Sequence, residues 1–322
     1  MKTKEQLLRL FEENRGVFFS GEELAQRLAI SRTAVWKAVN GLRNQGYPID
    51  AVPKKGYRLC TETDILSQPA VEKYLDPENR GLHLHVFPSV PSTNSVLRDL
   101  AADGAPEGTV VLTGEQTAGR GRRGRSFYSP PDTGVYLSVL LRPGETGQAA
   151  ALTTMAAVAV CEAIEAVSGQ TASIKWVNDV YVGGKKVCGI LTEASVGLET
   201  GAMDYTVVGV GINVCPPAGG FPPELADIAG SVFPAPVNDG KNRLAAEFLN
   251  RFFACCREPN DYVNRYRSRC FILGRDITVL SADGPKRARA LDVDDRCRLL
   301  VRDENGEETA LFAGEISILQ EK

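Results

Sequence analysis

The dipeptide Gly183-Gly184 constrains the fold of this chain more than any other feature, because it leaves the apolar runs on either side of it only a tight turn apart. Two strands joined this closely must pair antiparallel, since a parallel pair needs a crossover of a dozen residues or more. A doubly wound parallel sheet is therefore excluded, and the expected fold class is α/β in its α+β form, built on a mixed sheet. Around the turn the pattern alternates. Strands are predicted at 83–88, 109–114, 134–142, 172–177, 187–195 and 204–214, and helices at 92–103, 148–168, 224–229, 242–256 and 259–268. The last fifty residues read as short strands only, at 275–281, 286–293, 298–302, 308–313 and 315–319, a spacing that fits a small SH3-like barrel.

The N-terminus carries a different signature. Leu7, Leu8, Leu10 and Phe11 fall at helical spacing, and Ser20 with Glu23 three residues on forms a capping box opening a second helix. Ser31 caps a third, with Ala34, Val35, Ala38, Val39 and Leu42 on one face. Tyr47 to Leu59 then reads as two short strands around a Lys54-Lys55-Gly56 turn. A plain three-helix bundle with a hairpin shares this pattern. The polar face of the third helix decides for a winged helix-turn-helix: Arg32, Thr33, Trp36, Lys37, Asn40 and Arg43 suit phosphates or base edges, and none is acidic. Arg32, Thr33, Trp36, Lys37, Asn40 and the wing lysines Lys54 and Lys55 are the predicted DNA contacts. Charge agrees, since residues 1–60 hold 11 Lys/Arg against 6 Asp/Glu while the whole chain is at −3. A basic head on an acidic body points to a polyanion for the head alone.

At 322 residues the chain has room for two or three modules. The expected division is 1–62 winged helix, 63–80 linker with a short helix, 81–270 central domain and 271–322 terminal barrel. Eight cysteines occur without a C-x-x-C pair, and Met1-Lys-Thr-Lys-Glu runs straight into an amphipathic pattern with no secretory start. Reduced, buried thiols in a cytoplasmic protein are expected rather than a disulfide framework. His83 and His85 are the only histidines and share one face of a predicted strand, but no third ligand stands at usable spacing for a metal. A histidine-dependent hydrolase is poorly supported for the same reason. The apolar stretch from Ala149 to Val160 is too short to span a bilayer and reads as a buried helix, so no membrane partner is expected.

The chemistry concentrates in Gln116-Thr-Ala-Gly-Arg-Gly-Arg-Arg-Gly-Arg-Ser-Phe127. Gly119-x-Gly121-x-x-Gly124 formally satisfies a dinucleotide fingerprint, yet that motif must open a helix and Ser129-Pro130-Pro131 follows within a few residues. No phosphate-binding P-loop is present either. What remains is a glycine-rich loop with arginines at 120, 122, 123 and 125, whose backbone N–H groups and guanidinium forks suit phosphate or carboxylate. A merely solvated basic loop, or a nucleic-acid patch, is the alternative. Two segments converge with it: Ile174 to Leu191 brings Lys175, Asn178, Asp179 and Lys186, and Val208-Gly-Val-Gly-Ile-Asn213 offers glycines that let a flat ligand approach the backbone. Together they supply cations, a candidate Mg²⁺ carboxylate in Asp179 and a glycine shelf. Those are the requirements for joining a carboxylate to a nucleotide α-phosphate.

Pro91-Ser-Thr-Asn94, Gly119-Arg-Gly-Arg-Arg-Gly-Arg125, Lys175-Trp-x-Asn-Asp179, Lys186-x-x-Gly-Ile-Leu191 and Gly209-x-Gly-x-Asn213, in that order, make the chain resemble the biotin–protein ligases. The N-terminal helix-turn-helix makes it similar to their bifunctional form, the biotin operon repressors, over essentially the whole chain. The resemblance implies a class II synthetase-like ligase core that forms biotinyl-5′-AMP from biotin and ATP with Mg²⁺, with no permanently bound cofactor. A lysine of a biotin carboxyl carrier protein then takes the biotin. It further implies operator DNA of biotin genes as partner and a homodimer when biotinyl-5′-AMP is bound. By motif match, Ser92, Thr93, Asn94, Gln116, Arg120 and Gly121 hold biotin, and Arg122 and Lys186 sit at its carboxylate and the α-phosphate as catalytic groups. Arg125, Phe127, Asn178, Asp179 and Asn213, with Arg122, face the nucleotide. Two departures stand out: Val177 replaces the usual Pro, and Phe127 replaces a frequent Trp with a smaller stacking face. A non-catalytic biotin-sensing repressor and a ligase for lipoate or another carboxylic acid are the competing readings. Pyrophosphate release separates the first, and competition between biotin and lipoate the second.

Overall fold

The computed structural model describes residues 3–142, 149–196, 203–259, 261–281, 284–312 and 314–318. Residues 148, 260, 313 and 319, within or at the ends of predicted elements, lie outside them.

The head consists of α1 (Thr3–Glu13), α2 (Gly21–Leu28), α3 (Arg32–Arg43) and a hairpin of β1 (Ile49–Val52) and β2 (Gly56–Leu59). Both predicted caps are in place: Ser20 Oγ accepts from Glu23 N at 3.0 Å, and Ser31 Oγ from Ala34 N at 3.1 Å. Ala29 closes α2 in the left-handed region at φ 53°, which swings α3 across it. Leu7, Phe11, Leu24, Val35, Val39, Leu42 and Leu59 form a separate buried cluster, so the head has its own core. The linker contains α4 (Gln68–Glu72), capped by Ser67.

The central domain runs β3 (His83–Phe87), α5 (Thr93–Ala102), β4 (Thr109–Thr113), β5 (Gly134–Leu141), α6 (Ala149–Ser168), β6 (Ala172–Lys175), β7 (Asp179–Val182), β8 (Lys185–Val196), β9 (Met203–Asn213), α7 (Gly240–Arg257) and α8 (Tyr262–Arg269). Its seven strands form one sheet in the order β3-β4-β5-β9-β8-β7-β6, with β3–β4 parallel and every other pair antiparallel. The sheet is mixed, as the Gly183-Gly184 turn demands. Helices cover both faces. In β4, Val110 and Leu112 join the large cluster under α6 and α7, while Val111 joins Leu97 of α5 on the other side. A strand buried on both faces reads as an unbroken apolar run rather than an alternation.

Three expectations need correction. The predicted helix at 224–229 is a series of turns, because Lys186 takes its backbone: Lys186 N donates to Ile228 O and Gly230 N to Lys186 O, each at 2.8 Å. The predicted strand 172–177 ends at Lys175, where Trp176 to Asn178 turn the chain. The apolar stretch from Ala149 is only part of α6, which at 20 residues includes a span, Ala151–Ser168, long and apolar enough to cross a membrane. In the fold it is a core helix, with Ala156 to Cys161 and Ile164 fully buried against the sheet and α7. His83 and His85 do share a face of β3, exposed at the edge of the sheet.

The C-terminal domain contains β10 (Asp276–Ser281), β11 (Gly284–Val293), β12 (Leu299–Asp303), β13 (Glu308–Leu311) and β14 (Glu315–Ile318) as an antiparallel sheet in the order β13-β12-β11-β10-β14. Among the described residues no β13–β14 pairing closes it into a barrel. Trp176 anchors this domain to the core. It is 3% exposed and its Nε1 donates to Cys297 O at 3.1 Å.

Head, linker and core meet around one carboxylate, with an Arg9–Glu72 pair at 2.6 Å beside it. Asp239, just before α7, accepts from Arg15 of the head at 2.7 Å, from Lys73 at 2.8 Å, from Tyr74 Oη at 2.5 Å and from Asn242 at 3.0 Å. Arg15 also bonds Glu12, which is 3% exposed. Burial alone would push Asp239 up, but the Lys73 and Tyr74 hydrogen bonds and the Arg15 charge hold its carboxyl below the ordinary value. Its stabilisation is therefore present above the unfolded value of 3.8 and is lost as pH falls through the lower folded value. Replacing Asp239 with Asn leaves Glu12, 2.6 Å from Arg15 and 3.7 Å from Lys73, as the one carboxylate shared by both cations, and should cost less than the roughly 3–5 kcal/mol of a buried pair broken outright. Urea unfolding should show a wide gap between the two proteins at pH 7 that narrows toward pH 3.

Candidate active site

A cavity of about 330 Å³ opens over β8 and β9, roofed by the arginine loop and flanked by the start of α5 and the β6–β7 turn. Its floor depends on glycines. Gly189 of β8 and Gly211 of β9 are register partners, and Gly209 faces Leu191. A Cβ on Gly211 would lie 2.7 Å from the Phe127 ring, and one on Gly189 would lie 2.9 Å from it. A Cβ on Gly209 would lie 2.1 Å from Asn94 Oδ1. The glycine shelf expected to admit a flat ligand is thus already occupied in part by the protein's own Phe127 and Asn94, both of which line the cavity.

Each group is held in place by neighbours. Asn94 Nδ2 donates to Glu193 Oε2 at 2.7 Å and to Leu191 O at 3.2 Å, and Ser138 Oγ donates to Asn94 Oδ1 at 2.6 Å. Gln116 Oε1 accepts from Thr93 N at 2.9 Å, supplying the cap that Ser92 does not give α5. Ser92, Thr93 and Asn94 are each under 5% exposed and still reach the cavity wall.

The arginine loop is a pinched hairpin. Phe127 N donates to Gly119 O at 2.9 Å and Gly121 N to Arg125 O at 2.7 Å, while Arg122 to Gly124 make a 3₁₀ turn with Arg123 at φ 56°. This draws Phe127 onto the sheet and separates the arginines. Arg120 pairs with Glu193 at 2.9 Å. Among the described residues Arg122 donates only to neutral oxygens, Asn178 Oδ1 at 3.0 Å and Gly314 O at 3.4 Å. Asn178 is itself fixed, its Nδ2 donating to Ile190 O at 2.9 Å, so its Oδ1 faces Arg122. Opposite, Lys186 Nζ pairs with Asp179 Oδ1 at 2.7 Å. The turn that carries these residues has Val177 where a Pro was expected. The Trp176–Val177 peptide is cis, Val177 is 8% exposed, and Tyr266 Oη donates to Val177 O at 3.1 Å.

Ser92, Thr93, Asn94, Gln116, Arg120, Gly121, Arg122, Arg125, Phe127, Asn178, Asp179 and Lys186 therefore all line one cavity. Asn213 does not line it. Its Nδ2 donates to Gly230 O at 2.9 Å, which fastens the end of β9 to the segment passing Lys186. Sequence reasoning missed Glu193, Ile228, Gly314 and Ile316. Glu193 sits in an unremarkable strand pattern, and the other three reach the cavity by long-range packing that no local motif announces. In the head, Arg32, Thr33, Trp36 and Lys37 are exposed along α3, Asn40 is half-buried, and Lys54 and Lys55 are exposed at the wing tip.

Comparison with known proteins places the chain in a family. The profile of the biotin/lipoate A/B protein ligase family matches residues 86–213, that of an HTH domain matches 3–58, and that of the biotin protein ligase C-terminal domain matches 272–319. The bifunctional ligase/repressor BirA of Bacillus subtilis (strain 168) is 36% identical over 316 residues, covering 94% of this chain and 95% of that protein. A biotin–[acetyl-CoA-carboxylase] ligase of Mycobacterium tuberculosis is 30% identical over 272 residues, covering 80% of this chain and 98% of that protein. Among solved structures, biotin protein ligase from Aquifex aeolicus in complex with biotin and ATP superposes with a TM-score of 0.64 at 27% identity, covering 74% of this chain and 99% of that one.

The glycine contacts make a graded prediction. Gly211→Ala should displace the Phe127 ring and cost about 1–3 kcal/mol, as overpacking usually does. Gly209→Ala should cost more, because Asn94 is held by three hydrogen bonds and cannot swing aside. Thermal unfolding ranks the two variants, and Phe127→Ala added to Gly211→Ala should recover stability while doing nothing for Gly209→Ala.

Proposed function

We propose, because this chain belongs to the family of bifunctional biotin–protein ligases and repressors, that it biotinylates a carboxyl carrier protein and represses biotin genes with one reaction intermediate serving both tasks. One observation carries the catalytic half. Among the described residues Arg122 contacts only neutral oxygens, so its charge stands uncompensated on the cavity wall, facing the same space as Lys186.

The first step brings two anions together. A carboxylate oxygen of biotin attacks the α-phosphorus of ATP, the bond to the bridging oxygen of pyrophosphate breaks, and biotinyl-5′-AMP forms. Arg122 offsets the repulsion between the reacting groups, and Lys186 follows the charge that grows on the phosphate. Ser92, Thr93, Asn94, Gln116, Arg120 and Gly121 hold biotin, with Asn94 oriented by Glu193. Arg125, Phe127, Asn178 and Asp179 face the nucleotide, while Asn213 acts on it only through the Gly230 segment. Asp179 is the single carboxylate among the described lining residues. It suits the Mg²⁺ that accompanies ATP, an ion that keeps its waters and takes one or two carboxylates besides the phosphates. In the second step the neutral ε-amine of a carrier lysine attacks the anhydride carbonyl, AMP leaves, and the amine's extra proton is lost to solvent.

The repressor half uses the head. A single recognition helix gives modest affinity, so repression requires a dimer on two half-sites. The adenylate orders the loops over the cavity before subunits meet, so that part of the ordering cost is already met when the dimer forms. The setting is the cytoplasm, where eight free cysteines stay reduced.

Purified protein with biotin and MgATP should release pyrophosphate and yield biotinyl-5′-AMP by mass spectrometry, with lipoate a poor competitor. Lys186→Ala should slow adenylation by about 10²–10³ while weakening biotin binding far less. Equal losses in both would remove Lys186 from the transition state. Sedimentation with a non-hydrolysable biotinyl-adenylate mimic should shift the monomer–dimer constant by about 5–150-fold, a typical coupling range. An unchanged constant sinks the switch and leaves the ligase standing.

A further inference from the structure

The chain's two tryptophans are treated in opposite ways. Trp176 is 3% exposed with its Nε1 bonded, whereas Trp36 is 56% exposed in the middle of α3. Among the described residues Trp36 makes no side-chain hydrogen bond, and no ring or cation packs on it. It contributes nothing to the head's core, which Val35, Ala38, Val39 and Leu42 supply from the opposite side of the helix.

Position narrows what Trp36 can meet. Arg32, Thr33, Trp36 and Lys37 form one exposed stripe on the second helix of the helix-turn-helix, whose N-terminal half meets base edges in the major groove. Arg43 Nε at the end of α3 donates to Ile49 O at the start of the wing at 2.8 Å, and Phe18, just before α2, lies under Arg58 and Lys55 of the wing. Trp36 is therefore presented rather than left to wander. An indole cannot pair with a phosphate as the flanking Arg32 and Lys37 can, and it has a single donor. Its main recognition surface is apolar, and the apolar feature of the major groove is the C5-methyl group of thymine. The minor groove, about 6 Å wide, does not admit a helix about 10–12 Å across. A protein partner for this apolar spot is disfavoured by the surrounding charge, since Arg32, Lys37, Lys54 and Lys55 belong to a head with 11 basic residues against 6 acidic.

We propose that Trp36 is a specificity-determining residue of the head, packing its indole on a thymine methyl at a fixed position in each half-site. This rests on the reading of the chain as a DNA-binding repressor. Arg32 and Lys37 then supply affinity and orientation, and Trp36 supplies part of the sequence choice.

The test uses the full chain with biotin and MgATP to select from a random duplex library, in parallel with Trp36→Ala, whose folding is checked by its thermal transition. The native protein should enrich a thymine at symmetry-related positions. Exchanging that thymine for deoxyuridine removes only the methyl group and should weaken native binding about fourfold per half-site, the factor that burying one such group supplies. Trp36→Ala should bind the thymine and uracil duplexes equally. A native protein indifferent to the exchange at every enriched thymine, or a variant with the same penalty, overturns the proposal. If the native protein enriches no duplex at all, the repressor reading fails and takes this inference with it; enrichment without methyl dependence overturns this inference alone.

Discussion

The candidate active-site cavity depends on side chains that are missing. Gly189, Gly209 and Gly211 lie in two paired strands at the centre of the sheet, and each leaves a space that another part of the chain fills. Phe127 settles over the Gly189–Gly211 pair and so pulls the arginine loop down across the sheet. Asn94 settles at Gly209 and so ties the start of α5 to β8 and β9. A single methyl group at any of the three would crowd a cavity-lining residue. Glycine weakens a strand, and the packing of Phe127 and Asn94 is what offsets that loss here.

Charge is used in two ways that the geometry keeps apart. At the junction of head, linker and core, Asp239 gathers Arg15, Lys73, Tyr74 and Asn242, and every charge there has a partner. Burial pushes nearby Asp64 up to about 6, even with the Lys241 charge beside it lowering its carboxyl. These groups hold modules together. In the cavity the balance is incomplete: Arg120 is neutralised by Glu193 and Lys186 by Asp179, but among the described residues Arg122 is held only by an amide and a carbonyl. A cation fixed by neutral acceptors retains its attraction for an incoming anion. The Gly314 carbonyl is one of those acceptors, so the C-terminal domain helps set the geometry of the candidate site.

The head, the mixed sheet and most of the residues lining the candidate cavity were legible in the residues alone. Ser20 and Ser31 announced the two helices of the head because caps act over three residues. Gly183-Gly184 announced an antiparallel hairpin because two residues allow nothing else. The arginine loop stood out because four guanidinium groups in six residues cannot be core. These are local constraints, written in the spacing of neighbours. The segment 224–229 misled for the complementary reason: its local pattern suits a helix, but Lys186 claims its backbone from far along the chain.

What only the tertiary structure decided was who meets whom across long separations. Nothing near Glu193 says that it orients Asn94 and pairs with Arg120, and nothing near Gly314 says that its carbonyl steadies Arg122. The glycines of β8 and β9 could be seen to need a close neighbour, but not that the neighbours are Asn94 and Phe127. Asn213 shared a motif with the site and yet turned its amide to Gly230. Sequence determined which elements form and which residue types were available for chemistry, because capping, turn and strand preferences act within a few residues. Packing decided how Arg120, Arg122 and Lys186 are partnered, because that depends on groups far apart in the chain, 192 positions for Arg122 and the Gly314 carbonyl, brought within 3.4 Å.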